Sequence, residues 1–204
     1  MGPSTWIARL LIPAALAALA GCGSERVPEA ASRPLAAPEA LKTLFDFKDP
    51  TATAAWQTID DSVVGGKSRG AIKSSALGTA VFEGTISQEH GGFVTVRSAN
   101  GAYDLRGFAG IEVRLRGDGK RYKLSVKTNP EDNGFEYLAD LWTKEGVWQT
   151  VRVAFGEFKA NFLGTNLMAG SRIDPAKVVS MGFMVANYQT GSFRLEIESI
   201  KAYP

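Results

Sequence analysis

The sequence predicts an all-β chain of antiparallel strands closed into a sandwich or barrel. Three observations predict it. From Leu44 onward apolar and polar residues alternate with period two. The alternating runs are short and separated by Gly, Asn and Asp turn signals. No long stretch carries the 3.6-residue spacing of an amphipathic helix. The expected strands are 44–47, 80–84, 93–98, 111–116, 121–128, 135–141, 147–154, 178–185 and 193–203. Between the runs 147–154 and 178–185, Asp174-Pro175-Ala176-Lys177 reads as one helical turn, with Asp174 as cap and Pro175 in first position.

Ahead of this domain the chain has a different character. Residues 1–21 have the form of a secretory signal, with Arg9 before an apolar run from Leu10 to Ala20 that is too short to span a bilayer as a helix. The run ends in Leu19-Ala20-Gly21-Cys22, which is similar to a bacterial lipoprotein cleavage box. Lipidation needs a thiol, because diacylglycerol is joined through a thioether, and Cys22 is the only cysteine in the chain. Several acyl chains, each contributing about 0.8 kcal/mol per buried CH₂, make such an anchor effectively permanent. Gly23-Ser24 lacks the aspartate that retains lipoproteins in the inner membrane, so the expected address is the outer membrane, facing the periplasm. Residues 22–43 are rich in Ala, Pro, Glu and Ser without hydrophobic periodicity and read as a tether. The sandwich domain is expected over 44–204.

Asp118-Gly119 is a favoured two-residue turn pair. A hairpin folded about it would set Leu115 opposite Tyr122, Val113 opposite Leu124 and Ile111 opposite Val126, with all six on one face. The other face would carry Arg116 opposite Arg121 and Arg114 opposite Lys123. Like charges directly opposed are destabilising, so this strip calls for neighbouring acids or an anionic partner. The last strand supplies acids: with Phe193, Leu195 and Ile197 inward, Arg194, Glu196 and Glu198 point outward. Arg116-Gly117-Asp118 reads as part of the turn rather than as an adhesion motif.

Composition excludes several chemistries. Lys plus Arg (23) and Asp plus Glu (21) leave a formal charge of +2, which argues against nucleic-acid binding by bulk charge. One His and one Cys cannot make a structural zinc site, a disulfide framework or a Cys–His nucleophile pair. His90 lies in a loop-like Gln88-Glu89-His90-Gly91-Gly92 and has no evident partner for catalysis. Asp60-Asp61 is the most prominent acid pair; ahead of Gly65-Gly66 it reads first as turn chemistry and second as a ligand site. Asn129-Pro130-Glu131-Asp132-Asn133-Gly134 is oxygen-rich but lacks EF-hand spacing. No cofactor, metal site or catalytic set is expected. If the 135–142 strand alternates, Phe135, Tyr137, Ala139 and Leu141 share one face and Glu136, Leu138, Asp140 and Trp142 the other. Tyr137, Trp142 and Tyr188 could offer a sugar platform flanked by carboxylates, whereas Trp56, Trp148 and Phe193 are expected in the core.

Taken together, Trp56…Asp60-Asp61-Ser62-Val63-Val64-Gly65-Gly66-Lys67-Ser68 resembles the opening signature of the NADH:ubiquinone oxidoreductase complex I intermediate-associated protein family, whose form is close to Trp…Asn-Asp-x-Val-Met-Gly-Gly-x-Ser. Gly91-Gly92-Phe93, Arg116-Gly117-Asp118-Gly119 with Tyr122-Lys123, Trp148-Gln149-Thr150-Val151 and Gly191-Ser192-Phe193-Arg194-Leu195-Glu196-Ile197 follow in the family's order. Asp60 stands for the usual Asn and Val64 for the usual Met. The resemblance implies a galactose-binding-like jelly-roll β-sandwich without catalytic residues. Mitochondrial relatives assist assembly of respiratory complex I, and a plastid relative carries the domain in an RNA-associated assembly factor. It therefore implies an assembly or protein-interaction role with a protein partner, while the membrane contact is the one expected from the lipid anchor at Cys22. The alternative is a carbohydrate-binding module recognising envelope glycan. The surface residues expected to matter are Arg114, Arg116, Arg121, Lys123, Tyr137, Trp142, Asp60 and Asp61.

Overall fold

In a computed structural model, residues 40–131, 133–167 and 172–204 are described. The signal, Cys22 and nearly all of the tether lie outside them. Among these described residues thirteen strands form two sheets. They are β1 (Lys42–Asp46), β2 (Gln57–Asp60), β3 (Arg69–Ser74), β4 (Ala80–Ile86), β5 (Val94–Arg97), β6 (Gly110–Arg116), β7 (Arg121–Lys127), β8 (Phe135–Trp142), β9 (Trp148–Ala154), β10 (Lys159–Phe162), β11 (Thr165–Asn166), β12 (Ser180–Val185) and β13 (Gly191–Tyr203). The six-stranded sheet runs β3-β4-β13-β6-β9, with β1 also on β13, and the seven-stranded sheet runs β11-β10-β8-β7-β12-β5-β2. Every pairing between these strands is antiparallel, so the expected sandwich is present.

Alternation builds the core as the sequence requires. Ile111, Val113 and Leu115 from β6 and Tyr122, Leu124 and Val126 from β7 are all fully buried, as are Leu195, Ile197 and Ile200 from β13. Trp56 packs edge-on against Phe45 and Phe47 and stacks on Phe183, while Phe193 packs edge-on against Phe82. The turn at 174–177 is a single 3-10 turn, Pro175–Lys177, with the Asp174 side chain accepting from the Ala176 amide.

The Asp118-Gly119 hairpin is corrected. β6 pairs with β13 and β9, and β7 with β12 and β8, so the two strands belong to opposite sheets. The cause is the Asp118 carboxylate, which accepts from the Arg194 amide at 3.0 Å and the Tyr122 hydroxyl at 2.9 Å. Tied to β13 on one side and β7 on the other, the chain turns a corner across the sandwich. Leu115 and Tyr122 therefore enter the core from opposite sheets and are not paired along a ladder. The expected strip of Arg114, Arg116, Arg121 and Lys123 is split between the outer faces of the two sheets.

Five connections, β2–β3, β4–β5, β6–β7, β8–β9 and β12–β13, lie at one pole, and each crosses from one sheet to the other. β1 enters at the opposite pole, where Lys42 pairs with Ala202 near the end of β13.

Candidate functional site

The pole of five sheet crossings is organised around Asp61. β2 delivers the chain into a 3-10 turn, Asp61–Val64, capped by Asp60, whose side chain accepts from the Ser62 amide. Asp61 is fully buried. Its carboxylate accepts from the Ser68 amide at 2.8 Å, the Ser68 hydroxyl at 2.5 Å and the Gly92 amide at 2.7 Å, so one side chain ties the β2–β3 and β4–β5 loops together. The Asp61 carbonyl also accepts from the Gly66 amide at 2.7 Å. Burial pushes the Asp61 carboxyl up, but the bonds from Ser68 and Gly92 outweigh it and hold it below its ordinary value.

The glycines follow from this carboxylate. A Cβ on Gly66 would lie 2.3 Å from Asp61 Cγ, and one on Gly91 2.4 Å from Asp61 Cβ. Gly65, at φ +87°, ends the turn in the left-handed region that favours glycine. Asp60 and Asp61 thus do turn and cage chemistry, the first of the two readings above, and neither points a free carboxylate into a cleft.

What the cage holds outward is apolar. Val63 and Val64, between Asp61 and Gly65, are 71% and 62% exposed. Lys67 pairs with Glu89 at 2.5 Å, and the Gln88 amide donates to the Tyr188 carbonyl, joining this turn to the β12–β13 loop. Tyr188 is 90% exposed, and it, Asn187 and His90 all hold positive φ, which costs a side-chain-bearing residue energy. Gln189 in turn bonds the backbone of Arg121 through both ends of its amide. The Arg121 guanidinium lies 5.1 Å from the ring centre of Trp142, itself 65% exposed. Val63, Val64, Tyr188 and Trp142 therefore sit on one chain of bonded loops.

On the outer face of the six-stranded sheet, Arg116 pairs with Glu196 at 2.7 Å and Arg114 with Glu198 at 3.6 Å, so the last strand supplies the acids as expected. Trp148, opposite Arg116 on β9, is corrected from the core to this outer face, with the two guanidinium carbons 5.0 and 5.5 Å from its ring centre. The reason is register: Trp148, Thr150 and Arg152 alternate outward while Val151 and Val153 turn in. On the other outer face, Lys123 pairs with Asp140 at 2.8 Å. Its centre is polar yet shielded, with Glu136 accepting from Ser125 at 2.5 Å and from Arg97 at 3.1 Å. Tyr137, expected as half of a sugar platform with Trp142, is buried on the core side of β8, its hydroxyl donating to the Arg172 carbonyl. Among the described residues no three His, Cys, Asp or Glu side chains gather to hold a metal, and no helix is long and apolar enough to cross a membrane.

Sequence reasoning missed Trp148 as a surface residue and Val63-Val64 as an exposed tip. Two adjacent valines inside a polar, glycine-flanked loop were the available signal for the second.

Comparison with known proteins identifies the lineage. The family model described as Complex I intermediate-associated protein 30 (CIA30) matches residues 45–197, nearly the whole sandwich. The mitochondrial complex I intermediate-associated protein 30 of Drosophila melanogaster is 26% identical over 188 residues, covering 80% of this chain and 63% of the relative. Its Mus musculus counterpart is 24% identical over 188 residues, covering 81% and 57%. The chain thus spans less than two thirds of the length of either relative. Among solved structures, the family 11 carbohydrate-binding module of the cellulase Lic26A-Cel5E of Clostridium thermocellum superposes with a TM-score of 0.58 at 19% identity, over 80% of this chain and 94% of that one. The agarase AgWH50C gives 0.56 at 12% identity, over 81% of this chain and 25% of that one. At such identities these likenesses speak for the sandwich fold alone. The family match, which takes in the Asp61 cage and its apolar tip, shows that the chain belongs to the complex I intermediate-associated protein 30 family.

Proposed function

We propose that the chain is a non-catalytic binding protein of the cell envelope that acts as an assembly factor, docking a partner protein through the pole that carries Val63 and Val64. The observation that carries this reading is the caged tip. A buried carboxylate with three donors is spent on fixing a turn whose two valines face water. Exposed apolar groups rimmed by polar ones mark protein interfaces. The relatives' name, which ties them to complex I intermediates, supports a role on incompletely assembled partners.

In this reading Cys22 is lipidated in the outer membrane and the residues between it and β1 form the tether. β1 enters at the pole opposite the tip. The test is cross-linking in intact cells followed by affinity purification of the full chain and of a Val63→Asp/Val64→Asp variant. A defined partner recovered with the wild type and lost with the variant is the expected result. The same partner recovered with both overturns the reading.

A second reading, glycan recognition, is favoured by Trp142, whose exposed ring lies near Asp140 and Lys123 on the seven-stranded sheet. The carbohydrate-binding modules among the structural neighbours are compatible with it. Tyr137, being buried, takes no part. Glycan retention that Trp142→Ala abolishes would establish it; retention unaffected by that change would remove it.

A further inference from the structure

We infer that a cleft on the outer face of the six-stranded sheet binds a carboxylate-bearing sugar residue. The cleft exists because β13 changes neighbours. Along one edge β13 pairs with β4 as far as Ile197 opposite Ala80, and then with β1 from Ser199 opposite Asp46. The extra residue between them, Glu198, is a bulge whose carbonyl accepts from the Phe47 amide at 3.1 Å. The loops leaving β1 and entering β4 part at this point. They leave a space of about 350 Å³, within the ~300–1,000 Å³ range usual for small-ligand pockets.

The walls and floor differ in chemistry. Trp148 stands on one side and Leu77, 81% exposed, on the other, with Lys48 between the loops. Arg114, Arg116, Glu196 and Glu198 make the floor. Three cations thus face two carboxylates, and Glu196 is also engaged by Arg194 at 3.1 Å. Arg114 is the least committed guanidinium, 3.6 Å from Glu198 and 3.3 Å from the Thr150 hydroxyl. The Lys48 ammonium has no ion pair among the described residues. An added carboxylate is accommodated between Lys48 and Arg114, where guanidinium geometry suits it. Leu77 meets the C–H face of a pyranose, the Trp148 indole borders it, and Glu198 accepts from its hydroxyls. An aromatic acid would leave Glu198 against a ring edge with nothing to accept. A second space of about 210 Å³ shares Arg116 and Glu196 and continues past Asp118 and Arg194, giving room for a neighbouring sugar.

This site is independent of protein docking at the valine pole. It shares a ligand class with the Trp142 reading but lies on the other sheet. The test is calorimetric titration of the full chain with trigalacturonate and with neutral cellotriose. Saturable binding of trigalacturonate alone is expected, weakened at least tenfold by Arg114→Gln and by Leu77→Asp, a change at an exposed position that leaves folding intact. Trp142→Ala should bind as wild type, and the tryptophan fluorescence change on binding should vanish in Trp148→Phe. No binding, equal binding of cellotriose, or indifference to Arg114→Gln and Leu77→Asp overturns the proposal. Loss of binding in Trp142→Ala alone also overturns it while sustaining the other glycan reading.

Discussion

The Asp61 carboxylate and the Ser68 hydroxyl lie 2.5 Å apart inside the loop pole, and the Ser68 hydroxyl accepts in turn from the Ser87 amide at 3.0 Å. Through these two residues the signature loop, its glycines and the start of the next crossing become one rigid unit. The spacing Asp-x-x-x-x-Gly-x-Ser in the sequence is the spacing of that unit: acid, closing glycine, returning hydroxyl. Its product is an apolar tip held in water.

Replacing Asp61 by Asn removes one acceptor from a fully enclosed set of donors. Unsatisfied buried donors cost about 1–3 kcal/mol each, so the variant should lose about 3 kcal/mol, or about 6–12 °C in Tm for a domain of this size. Thermal unfolding followed by circular dichroism reads this directly. A change within about 1 °C would show that the cage does not hold the pole.

Gly66→Ala should reproduce the Asp61 defect without touching the carboxylate. Its Cβ would fall 2.3 Å from Asp61 Cγ, so the turn must shift, and such overpacking costs about 1–3 kcal/mol. Denaturant unfolding should place Gly66→Ala and the double variant with Asp61→Asn closer together than independent sites would allow.

Acid should weaken the fold in a defined window. Asp61 is held below its ordinary 3.8 because hydrogen bonds outweigh the opposing push of burial. Glu83, bonded by Lys73 against burial, and Glu196, where Arg116 and Arg194 outweigh burial, are held below their ordinary 4.5. A carboxylate depressed in the folded state adds stability above its unfolded value and loses it as pH falls through the folded one. Tm should therefore be level above about pH 5 and fall steadily below about pH 4.5. A level Tm down to about pH 3 would contradict the assignment.

Arg116 and Arg121 should behave as strangers. They lie on opposite sheets, Arg116 with Glu196 and Arg121 over Trp142. Unfolding free energies of Arg116→Ala, Arg121→Ala and the double variant should add within about 0.5 kcal/mol, whereas directly opposed arginines would relieve each other on removal.

The sandwich was legible in the sequence because period-two alternation marks strands whichever sheet they join. The error at Asp118 has the same root. Two consecutive strands with inward apolar residues fit a hairpin and a corner across the sandwich equally well, and only the Asp118 bonds to Arg194 and Tyr122 separate them. β2, β3, β10 and β11 escaped notice because they are short or polar pieces at or near the sheet edges, where one apolar face is not demanded. In the candidate site, turn-making by Asp60-Asp61 could be read from the glycines that follow. That Gly91 and Gly92, some thirty residues on, close the same cage could not be read, since the contact is tertiary.

The central claim is that the caged valines are a docking tip, and a photoreactive residue at position 64 in the living cell tests it most directly. Irradiation is expected to join the full chain to one defined protein, while the same residue at position 152, on the outer face of the six-stranded sheet, yields no such product. A product from position 152 and none from position 64 would contradict the account.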